Sequence, residues 1–353
     1  MADEGHGFAI VGCGVIAPTH ARAIQALPNA HLVAAVDVVA DKARRLTDDF
    51  GGDPETDLDR VLARPDVDVV SVCVPSGLHA EIGCRAAAAG KHVLVEKPID
   101  ITLEAADRLI AAAKRSGVKL SVVSQYRFSP GVQQVRSLID EGRLGRLILG
   151  DAIVKWYRSQ AYYDSGDWRG TWALDGGGCL MNQGIHYVDL LQWLMGPVES
   201  VVAHCATAAH RIEVEDVALA ILTFSNGAMG TLQGSTAVYP GLPERLEISG
   251  DGGTVIVEVA QLVLCELQDE QGEVGAYGAK GKAMRERVST SAAADPAALA
   301  QSSHLPQMTD LLRAIDTGGE PFITGEAGRK PLEVILAVYE SAKQGRPVHL
   351  PLG

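Results

Sequence analysis

Near its start the chain reads Phe8-Ala-Ile-Val-Gly-Cys-Gly-Val-Ile-Ala17, an apolar strand that runs through two close-spaced glycines into a helix. Gly12 permits the tight turn, Gly14 lets an anion approach the backbone with no side chain in the way, and Ala17 is small enough for the helix to lie close on the strand. Unpaired N–H groups at the helix start, with the positive end of its dipole, then face that anion. Gly12, Gly14, Val15 and Ile16 are therefore expected to hold a dinucleotide pyrophosphate. The setting supports this, because a second apolar strand, Leu32 to Val36, ends in Asp37 at roughly the 20-residue interval such sites use. A carboxylate there accepts hydrogen bonds from ribose hydroxyls and repels a 2′-phosphate. Val38-Val39 offers a phosphate no partner, and Lys42 and Arg44 belong to the next helix, so NAD is expected rather than NADP.

From Phe8 to about Val123, strands Phe8–Val11, Leu32–Val36, Val69–Val74, His92–Val95 and Leu120–Val123 alternate with helical segments. Alternation of that kind predicts a parallel sheet covered by helices on both faces. Thr102 and Gly117 mark the ends of one helix, Leu103–Ser116, as N-cap and C-terminal stop. After Gln125 the texture changes. A helix over about 131–141 leads to an extended segment, Leu147–Tyr157, then to an aromatic and Gly-rich stretch and a helix, Cys179–Met195. Strand-like runs then follow at 198–206, 217–224, 227–234, 244–249, 254–259 and 262–267, separated by Ser225-Asn226-Gly227 and Gly250-Asp-Gly-Gly253. The expectation is an α/β Rossmann domain over 1–127 and an α+β domain with a large, mainly antiparallel open sheet over 128–353, the C-terminal helix packing back on the first. An open sheet with a free face predicts a homodimer or homotetramer. Residues about 270 to 300 read as a mobile loop, and amphipathic helices are expected at about 305–315 and 325–343.

With 353 residues and a formal net charge of −13, the chain has the length for two domains and offers no basic field to nucleic acid or anionic lipid. Small molecules are the expected partners. Its six cysteines form no C-x-x-C pair, which fits reduced thiols in a cytoplasm rather than a disulfide scaffold. The acidic start lacks the features of a signal peptide, and no run of about 18 apolar residues is present to span a membrane.

Two further clusters carry chemistry. Glu96-Lys97-Pro98 follows the fourth expected strand, where ligands bind in this architecture, so that Lys97 is aimed at the cofactor crevice. A cation there polarises a hydroxyl or ketone and moves a proton. Asp175-Gly-Gly-Gly-Cys-Leu-Met-Asn-Gln-Gly-Ile-His-Tyr-Val-Asp189 sets Asn182, His186 and Asp189 on one face of a regular helix. An imidazole beside an amide and a carboxylate suits general acid/base work. Only His186 and Asp189 are good metal ligands in this stretch, and no metal is expected.

Together with the nucleotide turn, Pro75-Ser-Gly-Leu-His79 and Gln125-Tyr-Arg-Phe128, these clusters resemble the glucose–fructose oxidoreductase/inositol dehydrogenase/rhizopine catabolism (Gfo/Idh/MocA) family, over nearly the whole chain. The resemblance implies an NAD-dependent dehydrogenase with Lys97 and His186 as catalytic pair, assisted by Asn182. It also implies that Glu96, Lys97 and Gln125 lie on the nicotinamide ribose side and that Pro75, Ser76 and His79 contact the cofactor. Many members carry Asp where this chain has Asn182, which argues against a full Lys–Asp–His relay. Substrate recognition is expected from Arg127, Lys155, Tyr157, Arg158, Tyr162 and Tyr163, and from Trp168, Arg169, Asn182, Gln183 and His186. Aromatics stack on sugar faces, while basic and amide groups bind hydroxyls, carboxylates or phosphates. A sugar, a sugar nucleotide or a cyclitol such as inositol fits this set. A glycosidase that oxidises its substrate transiently and a non-catalytic NAD sensor are the alternative readings.

Overall fold

A computed structural model describes residues 5–268 and 296–352. The chain divides into two compact units, the first comprising Met1–Gln125, Thr171–Gly176 and Ala297–Leu332, the second Tyr126–Gly170, Gly177–Pro296 and Glu333–Gly353.

Unit one is built on six parallel strands: β1 (His6–Val11), β2 (Ala30–Val36), β3 (Asp53–Glu55), β4 (Val69–Val72), β5 (His92–Val95) and β6 (Leu120–Val122). Their order, β3-β2-β1-β4-β5-β6, reverses direction between β1 and β4. Such a reversal opens a crevice at the carboxyl ends of the strands, where doubly wound sheets bind dinucleotides. The connections carry α1 (Ala17–Ala26), α2 (Ala40–Phe50), α3 (Leu58–Leu62), α4 (His79–Ala88) and α5 (Leu103–Ser116). The cap signals of α5 act as expected: Thr102 accepts from the Ala105 N–H, and Gly117 takes the left-handed conformation at φ 68°. Strand β3 was not foreseen, since two carboxylates around Pro54 carry no apolar alternation; pairing with Ala34–Val36 holds it in place.

In unit two, α6 (Pro130–Asp140), α7 (Gln160–Tyr163) and α8 (Ile185–Met195) accompany an eight-stranded sheet. Its strands are β7 (Leu147–Lys155), β8 (Val198–Ala206), β9 (Val217–Phe224), β10 (Met229–Ser235), β11 (Arg245–Gly250), β12 (Gly253–Glu258), β13 (Gln261–Leu267) and β14 (Val348–His349). They run in the order β13-β12-β11-β7-β10-β9-β8-β14, antiparallel except for the β7–β10 pair. Side chains alternate along β9 between buried and exposed, as a sheet covered on one side requires. Helix α8 packs on β7 so closely that a Cβ at Gly150 would stand 2.8 Å from Met195. The expected helix Cys179–Met195 is not uniform. It opens with a π-helical turn, Cys179–Gly184, and becomes α-helical only from Ile185.

Two helices follow, α9 (Pro296–Thr317) and α10 (Gly325–Gln344). Of the loop expected at about 270–300, residues 296–300 are helical, and 270–295 lie outside the described residues. Met308, Leu311 and Leu312 of α9 join Phe8, Ile10, Ile24 and Leu94 in one buried core, which draws Ala297–Leu332 into unit one. Burial of roughly 1.5–3 kcal/mol per large apolar side chain makes that docking strong. Among the described residues no helix is long and apolar enough to cross a membrane.

Candidate active site

At the carboxyl end of β1, Gly12 has φ 94°, and a Cβ there would meet the Cys73 carbonyl at 2.6 Å. Gly14 is different: nothing lies within 4 Å of its ideal Cβ, and neighbouring Val15 is 86% exposed. Ile16 stands at the N-cap of α1, and no side chain caps the helix there. Within the helix Ala17 and Thr19 donate to the Gly14 and Ile16 carbonyls and Pro18 has no N–H, so the cradle a pyrophosphate needs is the open backbone of Gly14 to Ile16 just ahead of the helix. The Asp37 carboxylate accepts from the Cys13 N–H at 2.9 Å and from the Val39 N–H at 2.9 Å. It thus ties the turn to the end of β2, with lone pairs remaining for a ribose. These residues fit NAD.

Further along the same sheet edge, Pro75 precedes a single turn of 3-10 helix, Ser76–Leu78, in which Ser76 is buried. His79 is also buried, and both its ring nitrogens meet backbone carbonyls: Nδ1 with Pro98 O at 2.6 Å and Nε2 with Val74 O at 2.9 Å. Burial pulls its pKa below the ordinary value, and a neutral ring donates to only one of the two. His79, expected at the cofactor, instead ties the β4 turn to the Lys97-Pro98 turn, whose peptide bond is cis. Glu96 departs from expectation as well, because its carboxylate is buried. Oε1 accepts from His20 Nε2 (2.8 Å) and His304 Nε2 (3.3 Å), and Oε2 from the Lys97 N–H (3.1 Å). Burial alone would raise its pKa, but the two histidines hold it well below the usual carboxylate range. Gln125 at the end of β6 fits a ligand directly, since its buried Oε1 has no protein donor.

In unit two, His186 begins α8 half-buried, with the Tyr126 ring 4.8 Å away. The π-turn, Cys179–Gly184, changes the spacing that relates Asn182 to His186, while Asp189 follows His186 within the regular helix. Asp189 is paired with Arg127, whose Nε and Nη2 donate at 2.8 and 2.5 Å, and both side chains are buried. Arg127 also lies over the Trp193 ring. It is a core residue rather than a substrate ligand. Tyr163 is likewise corrected, being buried with its hydroxyl 2.7 Å from Thr236 Oγ1. Burial pushes the phenols of Tyr126 and Tyr163 well above their ordinary range.

A cationic and aromatic cluster lies elsewhere in unit two. Arg158 lies over the rings of Trp156 and Tyr162, while Arg169 lies over Tyr162 and Trp168. Tyr162 Oη accepts from Arg169 Nη1 at 2.6 Å and from Gln183 Nε2 at 3.1 Å. Gln183 Oε1 is buried without a partner and is free to receive a ligand donor. Lys155 is half-exposed at the end of β7, and Tyr157 is exposed against Tyr239.

Sequence reasoning missed four buried polar residues that shape these sites. His20 and His304 hold Glu96; Glu244 accepts from Trp156 Nε1 and Tyr126 Oη; and Glu215 receives the N–H groups of Gly178 and Leu180 with the Tyr339 hydroxyl. Only His20, three residues after Ala17 on α1, offered a local hint, as a polar residue on the helix face that packs on the sheet. Among the described residues His20, Glu96 and His304 form the one group with metal-ligand character.

Comparison with known proteins agrees with this anatomy. Residues 6–124 match the family described as oxidoreductase, NAD-binding Rossmann fold, and residues 132–256 match the GFO/IDH/MocA C-terminal domain. The chain is 25% identical to a myo-inositol 2-dehydrogenase of Thermotoga maritima, over 97% of each chain. It superposes on the WlbA dehydrogenase of Bordetella pertussis, solved with NADH and UDP-GlcNAcA, at a TM-score of 0.84 and 35% identity, covering 99% of this chain and 100% of that one. The corresponding dehydrogenase of Chromobacterium violaceum, in complex with the same two molecules, gives a TM-score of 0.86 and 32% identity, covering 100% and 98%.

Proposed function

Because the chain belongs to the Gfo/Idh/MocA family of NAD-binding oxidoreductases, we propose that it oxidises a secondary alcohol of an anionic, nucleotide-linked sugar. The observation that carries the substrate class is the pair Arg158 and Arg169 flanking Tyr162, beside the unsatisfied Gln183 Oε1, in a chain of net charge −13. Two guanidinium groups held by ring stacking are pre-organised for phosphate or carboxylate, which a neutral cyclitol does not need. The WlbA relatives, solved with a nucleotide-linked uronate, support the same choice. Net dehydrogenation is preferred to glycoside cleavage by transient oxidation because the Thermotoga maritima and WlbA relatives, matched over nearly their whole length, are named as dehydrogenases.

Gly12, Gly14, Val15 and Ile16 would hold the NAD pyrophosphate, Asp37 the adenosine ribose, and Ser76, Lys97 and Gln125 the nicotinamide end. When bound, NAD supplies the hydride acceptor. His186 removes the hydroxyl proton, Lys97 stabilises the charge developing on that oxygen, and Asn182 orients the imidazole or the substrate. Lys97→Ala and His186→Ala should each lower kcat by roughly 10²–10⁴-fold, and Asn182→Ala by less. NADH absorbance, followed with UDP-linked uronates, neutral UDP-sugars and inositols, tests the substrate class. A higher kcat/KM for inositol than for the charged nucleotide sugar would refute it.

The reading extends to a cytoplasmic homodimer or homotetramer joined through the second sheet. Val202 faces Ile221 across β8 and β9, and Leu219, Ile221 and Met229 are 51%, 58% and 57% exposed. Light scattering that found a monomer at micromolar concentration would overturn this assembly.

A further inference from the structure

Glu96 closes β5 with a carboxylate turned into the protein, and the groups around it come from three separate stretches of chain. His20 belongs to α1, directly after the nucleotide turn, and His304 to α9. Their Nε2 atoms stand 2.8 and 3.3 Å from Glu96 Oε1, and the rings meet edge to face at 4.9 Å. Ser71 Oγ lies 2.7 Å from His20 Nδ1. A hydroxyl donating to Nδ1 leaves the proton of a neutral ring on Nε2, pointed at Glu96. The other carboxylate oxygen accepts the Lys97 N–H. Three residues beyond His304, Gln307 donates to Val122 O at 2.7 Å and Ser121 Oγ at 3.1 Å, and accepts from the Ser124 N–H at 3.0 Å. Through these two residues α9 grips the ends of β5 and β6, the strands that lead into Lys97 and Gln125.

We propose that His20 and His304, acting through Glu96, are positioning residues that set the main chain of Lys97, and that α9 thereby holds the catalytic lysine in place. The proposal rests on the reading of Lys97 as catalytic. An ionised carboxylate removed from water needs donors on both oxygens. When one histidine donor is lost, the carboxylate rotates toward other donors or takes a proton. Either response weakens its hold on the Lys97 N–H. On the far side of the turn the Pro98 carbonyl stands 2.6 Å from His79 Nδ1. Among the described residues, the buried Cys73 thiol and His79 ring also lie in the field of Glu96, and Lys97 follows it directly.

The test compares full-length His304→Ala, His304→Gln, Glu96→Gln and Lys97→Ala. In His304→Ala, hydrogen exchange in the peptide covering 92–98 should rise, and kcat should fall about tenfold, the loss expected for a hydrogen bond to a charged group. KM and NAD affinity should stay within about twofold, because neither ligand is read by the brace. His304→Gln, which keeps an N–H donor, should recover part of the rate. Unchanged exchange at 92–98 in a folded His304→Ala protein overturns the brace. Normal turnover in Lys97→Ala overturns instead the catalytic reading beneath it, whatever the exchange shows. Stoichiometric zinc in the purified protein, with activity lost on chelation, also overturns the brace, because a metal would take the lone pairs that Glu96 uses for His20 and His304.

Discussion

Replacing Asp189 by Ala removes one half of the Arg127–Asp189 pair and leaves a guanidinium enclosed with no carboxylate. The side chains are 5% and 4% exposed, and the contact is bidentate at 2.8 and 2.5 Å, so water cannot take the place of the lost partner. Breaking one side of a buried pair costs about 3–5 kcal/mol, against 0–1 for an exposed one. At about 2–4 °C per kcal/mol for a unit of 150–250 residues, the melting temperature should fall by roughly 6–20 °C. Arg127→Met should cost a similar amount by orphaning the carboxylate. The double variant Arg127→Met/Asp189→Ala should recover much of the loss, because no buried charge remains. Differential scanning fluorimetry of the four proteins closes this cycle. NAD affinity, read at low temperature, should change by less than about twofold, since the nucleotide turn belongs to the other unit. A melting temperature for Asp189→Ala within about 2 °C of the parent, or a KM effect in Arg127→Met without any loss of stability, would refute the assignment of the pair to the core.

Gly14→Ala should fold with unchanged stability yet lose NAD affinity at least tenfold, because the added methyl meets open space in the protein but crowds the phosphates. Gly12→Ala should lower the melting temperature even without cofactor, since its φ of 94° and the Cys73 carbonyl exclude a side chain. Titration of both dinucleotides should show NAD bound more tightly than NADP, with the preference reduced in Asp37→Ala; tighter NADP binding by the parent would contradict the role given to Asp37. Burial lowers the pKa of His20, so the unfolded chain takes up a proton near pH 6.5 while the folded one stays neutral. Stability from this group is present above that pH and declines as pH falls below it, and His20→Gln should flatten the drop in melting temperature between pH 7 and 5. An equally steep drop in the variant would place the acid sensitivity elsewhere.

The features legible in the sequence are those encoded over a few residues. The glycine turn, Asp37 at the end of β2, the caps of α5 and the alternation along β9 each follow from local sterics or a short periodicity, and each stands where expected. The positions of Lys97, Gln125 and His186, beside strand ends or a glycine run, were also legible. Tertiary structure decided how the polar groups pair. Asp189 looked like the neighbour of His186, three residues away, but a carboxylate in a low-dielectric interior goes to the strongest donor in reach, and that is Arg127, 62 residues earlier. Glu96 looked like a cofactor ligand until the fold brought up His20 across 76 residues and His304 across 208. Helix α9 showed an apolar face in its sequence, and only the fold shows that face completing the core of the parallel sheet. Local patterns state what a segment must bury or satisfy; its partner is set by chain topology, which places distant residues side by side.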